Sequence, residues 1–162
     1  MERVALHLQT KANSFKNSPH EFDLFARSAF NRYYYATFLL TKEMLVGMNP
    51  DWKDVKHAGI PQVLDGAVVD KLRKAGKDAT RVEDGQANTL CNQGINAAKG
   101  IAELMREGYA SRVIADYHPS TRVVLSANNR FMLNNVSIND AHGWPDRTKK
   151  LIPTVVRAWR LT

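Results

Sequence analysis

Apolar residues recur three to four positions apart along most of the chain, the spacing of one face of an α-helix. Ala5, Leu8, Ala12 and Phe15 predict a short first helix within residues 1–16. The next stretch reads as a helix start: Ser18 as cap, Pro19 at the first helical position and Glu21 completing a capping box. From there Phe22, Phe25, Ala29, Tyr33, Ala36, Leu40 and Met44 form one stripe over about 19–46. Tyr33-Tyr34-Tyr35 extends that stripe round the side, so this helix is expected to be central and its rings to pack in the core rather than stack on bases. Gly47 and Asn49-Pro50 end it, and 47–59 reads as a connection carrying Trp52 and His57.

A third helix is expected from Ile60, with Val63, Ala67, Val68 and Leu72 inward and Gly76 as its stop. Residues 77–85 read as a polar loop with a second capping box at Thr80 and Glu83. A long helix over 86–117 follows, with Leu90, Gly94, Ala97, Ile101, Leu104 and Gly108 on one side. Its glycines weaken it but permit close approach of a neighbour. Pro119 is expected to start another helix through Val123, Val124, Ala127, Phe131 and Leu133. Asn134-Asn135 and 140–145 then mark a loop. A last helix over 145–160 presents Leu151, Ile152, Val155, Val156 and Trp159, with Pro153 kinking it or confining it to an edge. With no strand alternation competing, the pattern predicts an all-α fold: an up-down bundle of five or six helices in one domain spanning 1–162.

Charge narrows the range of partners. Lys and Arg total 23 against 16 Asp and Glu, a net charge of +7 over 162 residues, which favours polyanions such as RNA. The basic residues are spread along the chain rather than gathered in a tail. One cysteine, Cys91, excludes an internal disulfide and fits a cytoplasmic protein. Apolar runs are too short for a membrane span, and the beginning of the sequence has no signal-peptide pattern. There is no phosphate-cradling glycine loop or dinucleotide fingerprint. No histidine or carboxylate spacing suggests a zinc site, and nothing converges on Glu103 or Asp116, so no metal or cofactor is expected.

One segment, 108–119, combines a guanidinium, an imidazole and a helix end. The residue before a proline is pushed out of the α region, so His118, ahead of Pro119, should close the long helix. A six-residue step turns a helix by about 600°, leaving Arg112 and His118 about 120° apart unless the helix frays at His118. Brought together, the two groups suit work on a phosphodiester. The residues equally allow an Arg112–Asp116 pair at i, i+4 beside a solvated His118.

Three segments carry a family resemblance. Ala26-Arg27-Ser28-Ala29-Phe30-Asn31-Arg32-Tyr33-Tyr34-Tyr35-Ala36-Thr37-Phe38 resembles the first long helix of HEPN domains, and 57–64 (HAGIPQVL) is similar to the start of their second. Arg112-Val113-Ile114-Ala115-Asp116-Tyr117 resembles the Arg-x-x-Ala-Asp-Tyr signature of the family's prokaryotic members. The matches fall in family order and cover roughly 20–135. The resemblance implies a helical bundle that acts as a homodimer and cleaves RNA without metal, as a toxin- or defence-type ribonuclease. Its signature is an arginine, four to six residues, then a histidine; here five residues separate Arg112 from His118. By that reading His118 moves the proton and Arg112 neutralises the phosphorane-like oxygens, while Tyr117, Asp116, Arg32 and Ser111 line the substrate. A second expectation is a non-catalytic module that docks a nucleotidyltransferase, an antitoxin-like protein or another effector. Val113, where active members carry a polar residue, and an exposed Tyr117 and Trp144 point that way. A basic nucleic-acid-binding protein without enzymatic function is the third.

Overall fold

A computed structural model describes residues 1–126 and 130–162. The chain is all-α in class, a helical-bundle fold with one small three-stranded sheet. Helices α1 (Glu2–Ser14) and α2 (Pro19–Met48) come first, followed by 3-10 turns at Pro50–Asp54 and His57–Gly59. Then come α3 (Ile60–Val63), a π turn (Leu64–Val68), α4 (Val69–Arg81) and α5 (Gly85–Tyr117). Strands β1 (Val124–Leu125), β2 (Phe131–Leu133) and β3 (Val136–Ser137) lead into α6 (Ile138–Trp159).

The contacts divide the chain into two compact units, Met1–Phe38 with Glu107–Asp146 and Leu39–Arg106 with Arg147–Thr162. In the first, Phe22, Ala26, Phe30, Tyr33, Tyr34 and Trp144 are buried. Phe131 meets Phe22 and Phe30 edge-on, with centroids 5.5 and 6.0 Å apart. Tyr33 and Tyr34 are therefore core, as their helical spacing predicts, and Tyr35 is half-buried. Burial, with Glu2 adding to it, pushes the Tyr33 hydroxyl up to about 12. It stays a donor, to Gln9 Oε1 at 2.7 Å. In the second unit, Leu45, Ile60, Leu64, Leu72, Cys91 and Ile101 are buried, and burial raises the Cys91 thiol's pKa. Lys42 Nζ donates to the carbonyls of Trp52 (3.0 Å) and Val55 (2.6 Å), and the Trp52 and Trp159 rings lie 5.6 Å apart.

Several expected boundaries move, each for a physical reason. Helix α4 runs through Gly76, which does not stop it; a Cβ there would lie 3.3 Å from Asn88 Oδ1 and from Cys91 Cβ, so the glycine serves close packing. Thr80 does not cap: its hydroxyl donates to Gly76 O inside α4. Glu83 takes a left-handed φ of 60°, and Asp84 Oδ1 accepts from Ala87 N at 2.9 Å, capping α5. Among these positions Val63 is half-buried and Ala67 exposed rather than inward.

The helix expected after Pro119 is instead the antiparallel sheet, in the order β1-β2-β3. Phe131 and Leu133 point inward and Met132 does not, a period of two too short to stand out against helical spacing. Ala127 lies outside the described residues. Leu133 pairs with Val136 across Asn134 and Asn135, whose φ values of 46° and 66° make the two-residue primed turn that a hairpin's twist favours. Helix α6 begins at Ile138, so 140–145 is helix rather than loop. Asp140 N donates to Ser137 Oγ (3.1 Å), an N-cap, while that hydroxyl donates to Asp140 Oδ2 (2.6 Å). Pro145 and Pro153 both lie inside this helix. Trp144 is fully buried, not exposed, and its Nε1 donates to Glu107 Oε2 at 3.0 Å. Among the described residues no helix is long and apolar enough to cross a membrane.

Two glycines of the second unit should respond oppositely to the same change. A Cβ on Gly94 would collide with Ala158 Cβ and press on Leu72 Cδ1 (3.2 Å), whereas Gly47 in α2 has open space around it. Gly94→Ala should destabilise the protein by about 1–3 kcal/mol through overpacking. Gly47→Ala should stabilise it by up to about 1 kcal/mol through helix propensity alone. Urea unfolding of both variants checks the opposed signs.

Candidate functional site at the end of helix α5

All the sequence-selected residues belong to the first unit. Arg112 Nε lies 3.0 Å from Asp116 Oδ2, one helical turn on, with 21% and 28% of the two side chains accessible. The approach is poorly aligned, so it is an ion-pair contact, and Nε makes no hydrogen bond to any described residue. Asn31 Nδ2, on α2, donates to the other carboxylate oxygen of Asp116 at 2.6 Å. The Arg112 guanidinium carbon sits 5.4 Å from the centroid of the Tyr117 ring, a cation–π distance. Burial disfavours the Arg112 charge, but Asp116 and Tyr117, with Tyr35, outweigh it and raise the pKa further. Arg112 is a fixed cation.

His118 is the first residue beyond α5, as Pro119 predicts. Its N–H still donates to Ile114 O at 3.1 Å, and its carbonyl accepts from Thr121 N at 3.1 Å. The side chain is exposed, and among the described residues the imidazole takes part in no hydrogen bond or ion pair. Arg112 is thus bound to Asp116 and Tyr117, not to His118. Tyr117 is 63% exposed, and Ser111 is buried in the core. Arg32 is half-buried on α2, its guanidinium carbon 5.7 Å from the Tyr35 centroid.

A second polar cluster beside this one was not selected from the sequence. Arg27, buried on α2, donates from Nη1 to the carbonyls of Ile114 (3.0 Å) and Ala115 (3.1 Å). From Nη2 it reaches the carbonyls of His118 (3.2 Å), Pro119 (3.5 Å) and Thr121. Its Nε pairs with Asp23 Oδ2 at 2.8 Å. Asp23 also accepts from Arg122 Nη1 (3.1 Å) and from Val123 N (2.8 Å). Helix ends leave carbonyls without partners and carry negative dipole charge, and a guanidinium answers both. Asp23 and Arg27 stand four apart on a face otherwise filled by Phe22, Ala26 and Phe30, a charge pair on an apolar stripe. That misfit was the signal in the sequence.

Among the described residues no group of three or more His, Cys, Asp or Glu side chains is placed to hold a metal ion. Comparison with protein-family models, curated proteins and solved structures finds no match. The functional reading rests on the residues themselves.

Burial alone raises the Asp23 pKa, but the Val123 amide, Arg27 and Arg122 together bring it below the ordinary carboxylate range. A carboxylate with a depressed folded-state pKa stabilises the fold above its unfolded pKa, and that stabilisation is lost as pH falls through the folded value. Asp23→Asn should therefore cost about 3–5 kcal/mol at neutral pH, as breaking a buried pair does. The penalty should shrink as pH falls below the ordinary carboxylate pKa of about 4 toward the depressed value of the folded protein. Melting temperatures of both proteins across that range measure it.

Proposed function

We propose that this chain is a metal-independent endoribonuclease of HEPN type, of toxin or defence kind, acting on RNA as a cytoplasmic homodimer. What supports the reading is one juxtaposition: an exposed imidazole, His118, immediately past a helix turn that holds a permanent cation, Arg112. Imidazole is the side chain that takes up and returns protons near neutrality, and a guanidinium matches phosphate oxygens. In the reaction the RNA 2′-oxygen forms a bond to the adjacent phosphorus and the bond to the 5′-oxygen breaks. His118 accepts the 2′-hydroxyl proton, and a second acid, His118 of the other protomer, supplies one to the leaving 5′-oxygen. Arg112 stabilises the charge that builds on the phosphorane. The products are a 2′,3′-cyclic phosphate and a 5′-hydroxyl.

A net charge of +7 supports an RNA substrate. Exposed Tyr117, Val124 and Leu125 leave apolar surface on the first unit, which supports association with a second copy. A two-fold axis there would make one cleft from two Arg/His pairs. The Arg112–Asp116 pair favours a second reading, because a guanidinium already neutralised by its neighbour suits a fixed recognition surface. In that case the unit is a non-catalytic module docking a nucleotidyltransferase or an antitoxin-like partner.

Incubation with tRNA or single-stranded RNA in excess chelator separates the two. The ribonuclease reading expects fragments ending in 2′,3′-cyclic phosphate and a loss of about 10²-fold or more in His118→Ala and Arg112→Ala. Cleavage unchanged in both variants overturns this site. A protein inert on RNA that forms a stable complex with a nucleotidyltransferase supports the second reading.

A further inference from the structure

We propose that Arg27 is a positioning residue for His118: from within α2 it fixes the backbone on which the imidazole is presented. The inference rests on the ribonuclease reading for its catalytic consequence, but its geometry stands apart from it. The Arg27 guanidinium spans the break between α5 and the non-helical strap that follows it, residues 118–123. Nη1 holds the last turn of α5 at Ile114 and Ala115, and Nη2 holds the carbonyl of His118 itself and those of Pro119 and Thr121. One rigid planar group thus ties the helical side of His118 to the non-helical side. Asp23 orients that plane through Nε and, through Val123 N and Arg122, anchors the far end of the same strap.

The Pro119 ring cannot supply this constraint, because proline limits only its own φ and the conformation of the residue before it. Nor is the pair an ordinary surface bridge, since both side chains are about nine-tenths buried. Lysine cannot substitute for the fork. Its ammonium is a point charge with three donors, whereas the arginine here uses donors on three nitrogens in one plane. With Arg27 replaced by lysine, the strap should open and the imbalance should fall on the orientation of His118 rather than on RNA binding.

The test is Arg27→Lys in the full-length protein, with three readouts. Helical circular dichroism and melting report the fold. Amide hydrogen exchange reports the strap over 118–123. Cleavage of a defined RNA reports kcat and KM separately, alongside the NMR chemical shifts of the His118 ring, which report its orientation. The expected result is a folded variant with exchange at least tenfold faster at His118, Thr121 and Val123. Its kcat should fall at least tenfold with KM within twofold, and the His118 ring shifts should move. Faster exchange with kcat and the His118 ring shifts unchanged would make Arg27 a helix cap only and overturn the proposal, as would unchanged exchange. If wild-type protein does not cleave RNA, the ribonuclease reading fails, and Arg27 is judged by exchange and the His118 ring shifts alone. Should Arg27→Lys not fold, Asp23→Asn, which leaves the guanidinium in place, is measured in the same way. Should neither fold, wild-type amides at His118 and Thr121 exchanging as fast as an unstructured peptide would overturn the proposal.

Discussion

A charged group buried in the first unit sets the terms for what surrounds it. Taking a guanidinium out of water is unfavourable unless each donor finds an acceptor and the charge finds a counterion. Arg27 meets both conditions with Asp23 and five backbone carbonyls. The dependence is mutual. Of the carbonyls Arg27 reaches, those of Ile114 and His118 also accept from backbone amides, whereas the others, if buried and left unmet, would cost about 1–3 kcal/mol each. One side chain on α2 therefore joins segments some ninety residues apart in sequence.

The core of the first unit is aromatic and that of the second aliphatic. The first relies on Phe22, Phe30, Tyr33, Tyr34, Phe131 and Trp144, with Phe131 meeting Phe22 and Phe30 edge-on. The second is built from Leu, Ile and Val side chains on α3, α4, α5 and α6, and glycines let these helices approach. The buried aromatics place their polar tips deliberately: Tyr33 on Gln9, Trp144 on Glu107. Each is an amphipathic side chain that covers core with its ring and satisfies one donor at the edge.

Helical periodicity made the long elements readable, and α1, α2 and α5 begin and end within a few residues of where apolar spacing and capping residues put them. The failures have a common origin in short-range signals that tertiary context overrides. Gly76 resembles a stop, yet close approach to Asn88 and Cys91 keeps it helical. Asn134-Asn135 do mark a connection, a hairpin turn, but the strands beside it are too short to reveal a period of two against helical spacing. Of the candidate site, the Arg112–Asp116 spacing and the helix end at His118 were legible, because both are local. Asn31 and the carbonyl partners of Arg27 were not, since those partners lie far along the chain; the one local trace of Arg27 was its charge pair with Asp23 on an apolar stripe.

The three tryptophans divide between the two units in a way that gives each its own optical signature. Trp144 is sealed in the first unit against Glu107, so its emission should be blue-shifted and should report when that core takes up water. Trp52 and Trp159 sit together in the second, close enough for their indole transitions to couple and leave a band in the far-ultraviolet dichroism. Fluorescence and dichroism, followed during one melt, therefore disclose whether the two cores come apart in concert or in turn.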